Sequence, residues 1–223
     1  MNEPPLPILY SFRRCPYAMR ARLAIAAAGI EVQLREVVLR DKPQAMIGAS
    51  PKATVPVLVM SDGAVIDESR EIGSWALSKN DPSRWLDADA DECEKLIDHN
   101  DGAFKSALDR YKYPNRYPEE GIDVHEQRAV GAETIRSYEE RLAQSAWLMG
   151  DRATWVDYAV LPFVRQFAHV DKDWFWNQPW PHVLRWLDAF LESGRFADVM
   201  RKYPQWKPGD EPVTFGKLES SNP

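Results

Sequence analysis

Ile8-Leu9-Tyr10-Ser11-Phe12-Arg13-Arg14-Cys15-Pro16-Tyr17-Ala18-Met19-Arg20 joins a short apolar run to an Ala-rich stretch, with a thiol at the junction. Ile8 to Tyr10 reads as a strand. Pro16 to Ala28 reads as a helix, because Pro suits the first helical position and Gly29 suits the position that ends it. Cys15 then lies at a helix N-terminus, with Arg13, Arg14, Arg20 and Arg22 within seven residues. Such a thiol loses its proton more readily than an ordinary cysteine, and the thiolate is the reactive form. It also falls at the carboxyl end of a strand, where open α/β sheets bind ligands. The plain alternative is a small buried filler, a common use of cysteine. Ala18 stands where a Cys-x-x-Cys site has its second thiol, so a mixed disulfide at Cys15 needs an external thiol to resolve it.

Working outward, Val32 to Val38 alternates as a strand does, and Pro43 to Ile47 fits a short helix. Val57-Leu58-Val59-Met60 and Ala64-Val65-Ile66 flank the turn Ser61-Asp62-Gly63, which predicts a hairpin. Glu68 to Ser78 carries Ile72, Trp75 and Ala76 at helical spacing. The order βαβαββα over residues 1–79 predicts an α/β domain with one parallel pair and an antiparallel edge.

Residues 80–90, with Pro82 and several aspartates, read as a linker. Strand signals largely stop after it. Leu96/Ile97, Phe104, Leu108 and Tyr111 keep helical spacing, as do Ile135, Tyr138 and Leu142. Val156 to Phe167 is strongly apolar, with Pro162 inside it. Leu184, Leu187 and Leu191 mark a further helix, opened by Pro181 and closed by Gly194. Residues 91–223 are therefore expected to be an all-helical domain. Its tail beyond Pro204, rich in Pro, Gly and Ser, is expected to lie on the surface or fray.

Composition narrows the function classes. The formal net charge is −6 and the basic residues form no long stripe, which argues against a nucleic-acid partner. No run approaches the roughly 18 apolar residues of a membrane span. Met1-Asn2-Glu3-Pro4-Pro5 lacks signal-peptide features, so the expected location is cytoplasmic. The two cysteines, Cys15 and Cys93, suggest neither a structural disulfide nor a zinc site, and the four histidines are scattered. No metal is expected.

Four other motifs have both a bland and a functional reading. Val55-Pro56 is either an ordinary trans entry to a strand or a cis turn that presents the Val55 backbone to a ligand. Asp67-Glu68-Ser69 is either a helix cap or an anion site, with Glu68 available to an ammonium; together they suit an amino-acid headgroup. Tyr111, Tyr113, Trp174 and Trp176 are either packing or the wall of an apolar pocket. Thr154-Trp155-Val156-Asp157 has the form of a capping box, a structural device.

This ordered set resembles the cytosolic glutathione transferases, over about residues 6 to 203, and is most similar to the omega class and its bacterial cysteine-type relatives. The resemblance implies a thioredoxin-like domain followed by an all-helical domain, and glutathione as co-substrate. It implies Cys15 as catalytic cysteine. Tyr17, Lys42, Val55, Pro56, Glu68 and Ser69 become the glutathione-binding positions, with Lys42 at the glycine end, the Val55 backbone at the cysteinyl part, and Glu68 and Ser69 at the γ-glutamyl end. Thr154 and Asp157 become the family's folding-related cap. The expected activity is thiol transfer or reduction on a small-molecule or disulfide substrate, in a homodimer. Conjugation of glutathione to electrophiles is the alternative, and a non-catalytic binding protein on the same fold is a third reading.

Overall fold

The computed structural model describes residues 5–216. The N-terminal residues read for a signal segment are therefore outside it except Pro5, as are residues 217–223 of the tail. The chain forms two compact units: residues up to 84 together with those from 193 onward, and residues 85–192.

The first unit begins with β1 (Ile8–Ser11), α1 (Pro16–Ala27), β2 (Val32–Glu36) and α2 (Gln44–Ala49). It continues through β3 (Val57–Val59), β4 (Val65–Ile66) and α3 (Ser69–Lys79). Pro16 occupies the first turn of α1. Gly29 takes φ +64, its N–H donates to Ala26 O, and that of Ile30 donates to Ile25 O. This is a Schellman ending, and glycine permits the left-handed residue that it needs. β1 pairs parallel to β2 with Leu9 opposite Leu34, and antiparallel to β3 with Leu9 opposite Leu58. The expected hairpin is present: β3 and β4 are antiparallel around Gly63, which has φ +87. α1 is buried on nearly every side, Arg20 and Arg22 included, and packs on α3.

The second unit contains α4 (Ala90–His99), a π-turn over Asn100–Phe104, α5 (Lys105–Lys112) and α6 (Val124–Leu142). After these come α7 (Trp155–Ala168), α8 (Lys172–Trp176) and α9 (Pro181–Glu192). Of the segment read as a linker, residues 80–84 belong to the first unit and residues 85–90 to this one. Trp85 is buried, stacks on Tyr158 at 4.0 Å and accepts the Trp155 N–H at its carbonyl. Asp89 caps α4 by accepting from the Glu92 N–H. The helix marked by Leu184, Leu187 and Leu191 is present as α9, which buries Val183, Trp186, Leu187 and Phe190 and leaves Leu184 and Leu191 half-buried.

The largest departure comes at Ser193. Gly194 does not close α9 but opens α10 (Gly194–Val199), whose cap is the Ser193 hydroxyl accepting from the Phe196 N–H. The chain then forms β5 (Val213–Phe215), antiparallel to β2 with Leu34 opposite Val213. The sheet order is β4-β3-β1-β2-β5. Residues 193–216 thus belong to the first unit, against the expectation of one helical domain over 91–223. The described part of the tail does not fray: Trp206 donates its N–H to Glu36 O and Phe215 is buried. The cause is non-local pairing, since the open edge of β2 satisfies its backbone with a strand about 180 residues away.

Candidate active site

The site grows from the loop between β1 and α1. Cys15 is the N-cap of α1 in extended conformation, and its side chain makes no capping hydrogen bond. Its N–H donates to Phe12 O at 3.0 Å, and its carbonyl accepts from the Met19 N–H at 2.9 Å. The half-buried thiol leans on the cluster of Tyr10, Ala18, Val37, Met46, Val55 and Val57. Its thiol donates to the carbonyl oxygen of Val55 at 3.7 Å, Val55 being the residue before a cis proline, Pro56. The sulfur thus lies at the positive end of a 12-residue helix.

Arg22 anchors that loop from beneath. Fully buried, it donates to the Ser11 hydroxyl, to Arg13 O at 2.8 Å and to Phe12 O at 3.5 Å. Its Nε donates to Val199 O at 3.1 Å. Burial pulls the Arg22 pKa down to about 10, opposed by the charges of Glu36 and Cys15. Glu36, raised by burial, accepts the Arg13 N–H at 2.7 Å. Two hydroxyls upstream of Cys15 in sequence, those of Ser11 and Tyr10, belong to buried residues and are engaged. Ser11 accepts from Arg22, and Tyr10 accepts from Arg35 at 2.6 Å.

A second group gathers at the start of α3. Lys52 reaches Glu68 at 2.6 Å and Asp67 at 3.0 Å, and the Ser50 hydroxyl donates to Asp67 at 2.6 Å. Glu68 and then Asp67 hold the Lys52 ammonium above its ordinary pKa, while Ser50 and then Lys52 hold the Asp67 carboxyl low. Ser69 is buried and accepts from Arg20 at 3.3 Å. Tyr17, in the first turn of α1, has the Arg20 guanidinium 5.6 Å from its ring centre. Lys42 is half-buried in the loop between β2 and α2. The sequence reading missed Lys52, and treated Arg20 and Arg22 only as neighbours of the thiol. Their partners are distant along the chain, so no local signal pointed to them.

Of the four aromatics expected to wall one apolar pocket, Tyr111 and Trp176 line two different grooves of the second unit. One, of about 520 Å³, is lined by Tyr111, His125, Arg128, Asp171 and Lys172. The other, of about 320 Å³, includes His169, Trp176 and Leu191. Trp174 is half-buried, carries Arg128 over its ring at 4.4 Å and meets Trp180 edge-on. Tyr113 sits at the end of α5 beneath Arg116, 3.9 Å from its ring centre. Thr154 and Asp157 form the capping box at α7. The Asp157 carboxylate also accepts from the Leu148 N–H and from Trp186 Nε1, which ties three segments to one buried group.

Two family profiles match this chain in succession, over residues 9–189. The glutathione S-transferase N-terminal domain matches residues 9–84, and the glutathione S-transferase C-terminal domain matches residues 85–189. The chain belongs to the glutathione transferase superfamily. It is 39% identical over 74 residues to glutathione S-transferase omega-1 of Sus scrofa, covering 30% of this chain and 31% of the pig protein. The chain thus aligns with less than a third of that relative's length. Glutathione S-transferase U28 of Arabidopsis thaliana is 22% identical over 206 residues, covering 86% of this chain and 88% of its own. A glutathione transferase family member from Pseudomonas fluorescens, crystallised with two glutathione bound, superposes with a TM-score of 0.75 at 16% identity. It covers 90% of this chain and 94% of its own, a likeness of fold. Among the described residues no helix is long and apolar enough to cross a membrane.

Proposed function

We propose that the protein is a glutathione-dependent thiol transferase in which Cys15 is the nucleophile. The observation that carries this reading is the half-buried Cys15 sulfur at the N-terminus of α1, beside the cis Val55-Pro56 turn. The Cys15 thiolate attacks the glutathione sulfur of a mixed disulfide. The bond to the other sulfur breaks, that sulfur leaves as a thiolate and takes a proton, and Cys15–glutathione disulfide remains. A second glutathione thiolate attacks the glutathione sulfur of this adduct, releasing oxidised glutathione and restoring the Cys15 thiolate.

Tyr17, Lys42, Val55, Pro56, Glu68 and Ser69 are the proposed glutathione contacts. Positioned binding makes the attack effectively unimolecular. Glu68, steadied by Lys52, suits an ammonium, and the first turn of α3 suits the adjoining carboxylate. Tyr111, Tyr113, Trp174 and Trp176 are the proposed acceptor-recognition residues, in a cytoplasmic homodimer. No metal takes part in the scheme.

Conjugation to electrophiles is the second reading, suggested by the relatives' designation as transferases. It calls for a hydroxyl donor to the glutathione thiolate. Burial and arginine contacts of Ser11 and Tyr10 favour the cysteine instead. The deciding experiment pairs two assays on Cys15→Ser and Cys15→Ala: glutathione-dependent reduction of a glutathionylated peptide, and conjugation to an aryl halide. Loss of reduction by at least about a hundredfold in both variants supports the thiol-transfer scheme. Full reduction without the sulfur refutes it, and conjugation that rises in Cys15→Ala supports the second reading. Failure to bind immobilised glutathione points instead to a non-catalytic protein.

A further inference from the structure

We infer that Arg22 is the positioning residue of this site: it locks the Cys15 loop to the C-terminal segment and supplies the buried positive charge that the Cys15 thiolate feels. This deepens the proposed function and rests on its reading of Cys15.

The geometry is specific. One guanidinium serves four acceptors: three in succession on the strand end and loop, at Ser11, Phe12 and Arg13, and one at Val199. The first three lie two to four residues before Cys15, in the segment that leads into it. The fourth lies at the end of α10, in the segment that returns to the first unit. A fork of fixed donors can hold such a set, whereas a point-charge ammonium cannot.

The electrostatics point the same way. Arg22 is buried, so its charge is poorly screened. The titratable and charged groups around it are Glu36 on β2, Arg13 and Cys15 in the loop, and Tyr203 in the segment after α10. Glu36 competes with the thiolate for that charge. Glu36 also accepts the Arg13 N–H, so carboxylate and arginine hold the same loop residue from two directions. Removing Arg22's charge and removing Glu36's charge should therefore move Cys15 in opposite senses, which a merely structural role would not do.

The test follows alkylation of Cys15 by iodoacetamide against pH, read site-specifically by mass spectrometry on the full chain. In Arg22→Gln the midpoint is expected to rise by about one unit. In Glu36→Gln, which keeps an acceptor for Arg13, it is expected to fall by roughly half a unit. In Arg22→Lys it should stay within a few tenths of the parent, while turnover with a glutathionylated peptide drops at least about fivefold as the bonded fork is lost. Parent-like midpoints in both Arg22→Gln and Glu36→Gln overturn the inference. If Arg22→Gln does not fold, Glu36→Gln and Arg22→Lys decide it: an unmoved or raised midpoint in the first, or parent-like turnover in the second, overturns it. Undiminished turnover in Cys15→Ser would instead sink the nucleophile reading, with the midpoints still reporting on Arg22.

Discussion

The guanidinium of Arg20, fully buried on α1, donates to the hydroxyl of Ser69 in the first turn of α3 at 3.3 Å. Two helices that carry proposed ligand contacts are thereby linked through one hydrogen bond. Ser69→Ala leaves a buried charged donor with one acceptor fewer, at a cost of about 1–3 kcal/mol. Urea unfolding should report that loss, and calorimetry should find glutathione binding weakened by about tenfold. Unchanged affinity in a folded Ser69→Ala protein would remove Ser69 from the ligand site.

The two thiols should differ sharply. Burial pushes the Cys93 thiol up to about 11, with Asp157 and Asp89 adding to the effect. Iodoacetamide at pH 7.5 should therefore modify Cys15 alone, giving one adduct per chain by intact mass. Two adducts on the folded protein would contradict the assignment.

Gly131 on α6 faces the ring of Phe167. A methyl group there would meet Phe167 Cε2 at 2.5 Å. The ring is hemmed in by Phe104 and Tyr111, both with centroids at 5.4 Å, and by Phe175 at 6.2 Å. Gly131→Ala improves helix propensity by about 1 kcal/mol, yet overpacking typically costs about 1–3. Net destabilisation is expected, seen as a lower thermal midpoint; a higher midpoint would mean that the ring can yield.

His169 should make stability depend on pH. Its Nδ1 pairs with Arg165 O at 2.9 Å and its ring meets Trp176 edge-on. Burial lowers its pKa to about 4, helped by the charges of Arg165 and Lys172. The unfolded chain then binds the proton more readily than the folded one between pH 6.5 and about 4. Stability from this group is complete above pH 6.5 and declines as pH falls towards 4. Partial solvent access limits the effect to about 1 kcal/mol. Urea midpoints at pH 7.5 and 5 should converge in His169→Gln relative to the parent. An unchanged difference between the two pH values would count against a neutral, partly buried His169.

Much of the candidate site is legible in the sequence because its signals are local. Pro16 and Gly29 bracket α1, and Gly63 turns the hairpin. Cys15, Val55-Pro56 and Glu68-Ser69 each sit at an element boundary that the sequence marks. The cis state of Val55-Pro56 was left open, since the peptide bond depends on surroundings that the dipeptide does not contain. On α9 the leucines marked the helix, while Val183, Trp186 and Phe190 join Leu187 on its buried face. A helix with apolar residues on several sides leaves tertiary packing to choose which goes inward.

What the chain dictates by itself is the succession of short strands and helices and the thiol at a helix start, because turns, caps and side-chain periodicity act over a few residues. Long-range contact alone decided that β5 completes the sheet on β2, that Arg20 and Arg22 turn inward to Ser69 and Val199, and that Lys52 pairs with Asp67 and Glu68. Unpaired strand edges and buried charges such as Arg20 and Arg22 need partners wherever the fold can supply them, and the exposed Lys52 meets its partners only because the fold brings two loops together; neither leaves a periodic trace in the residues nearby.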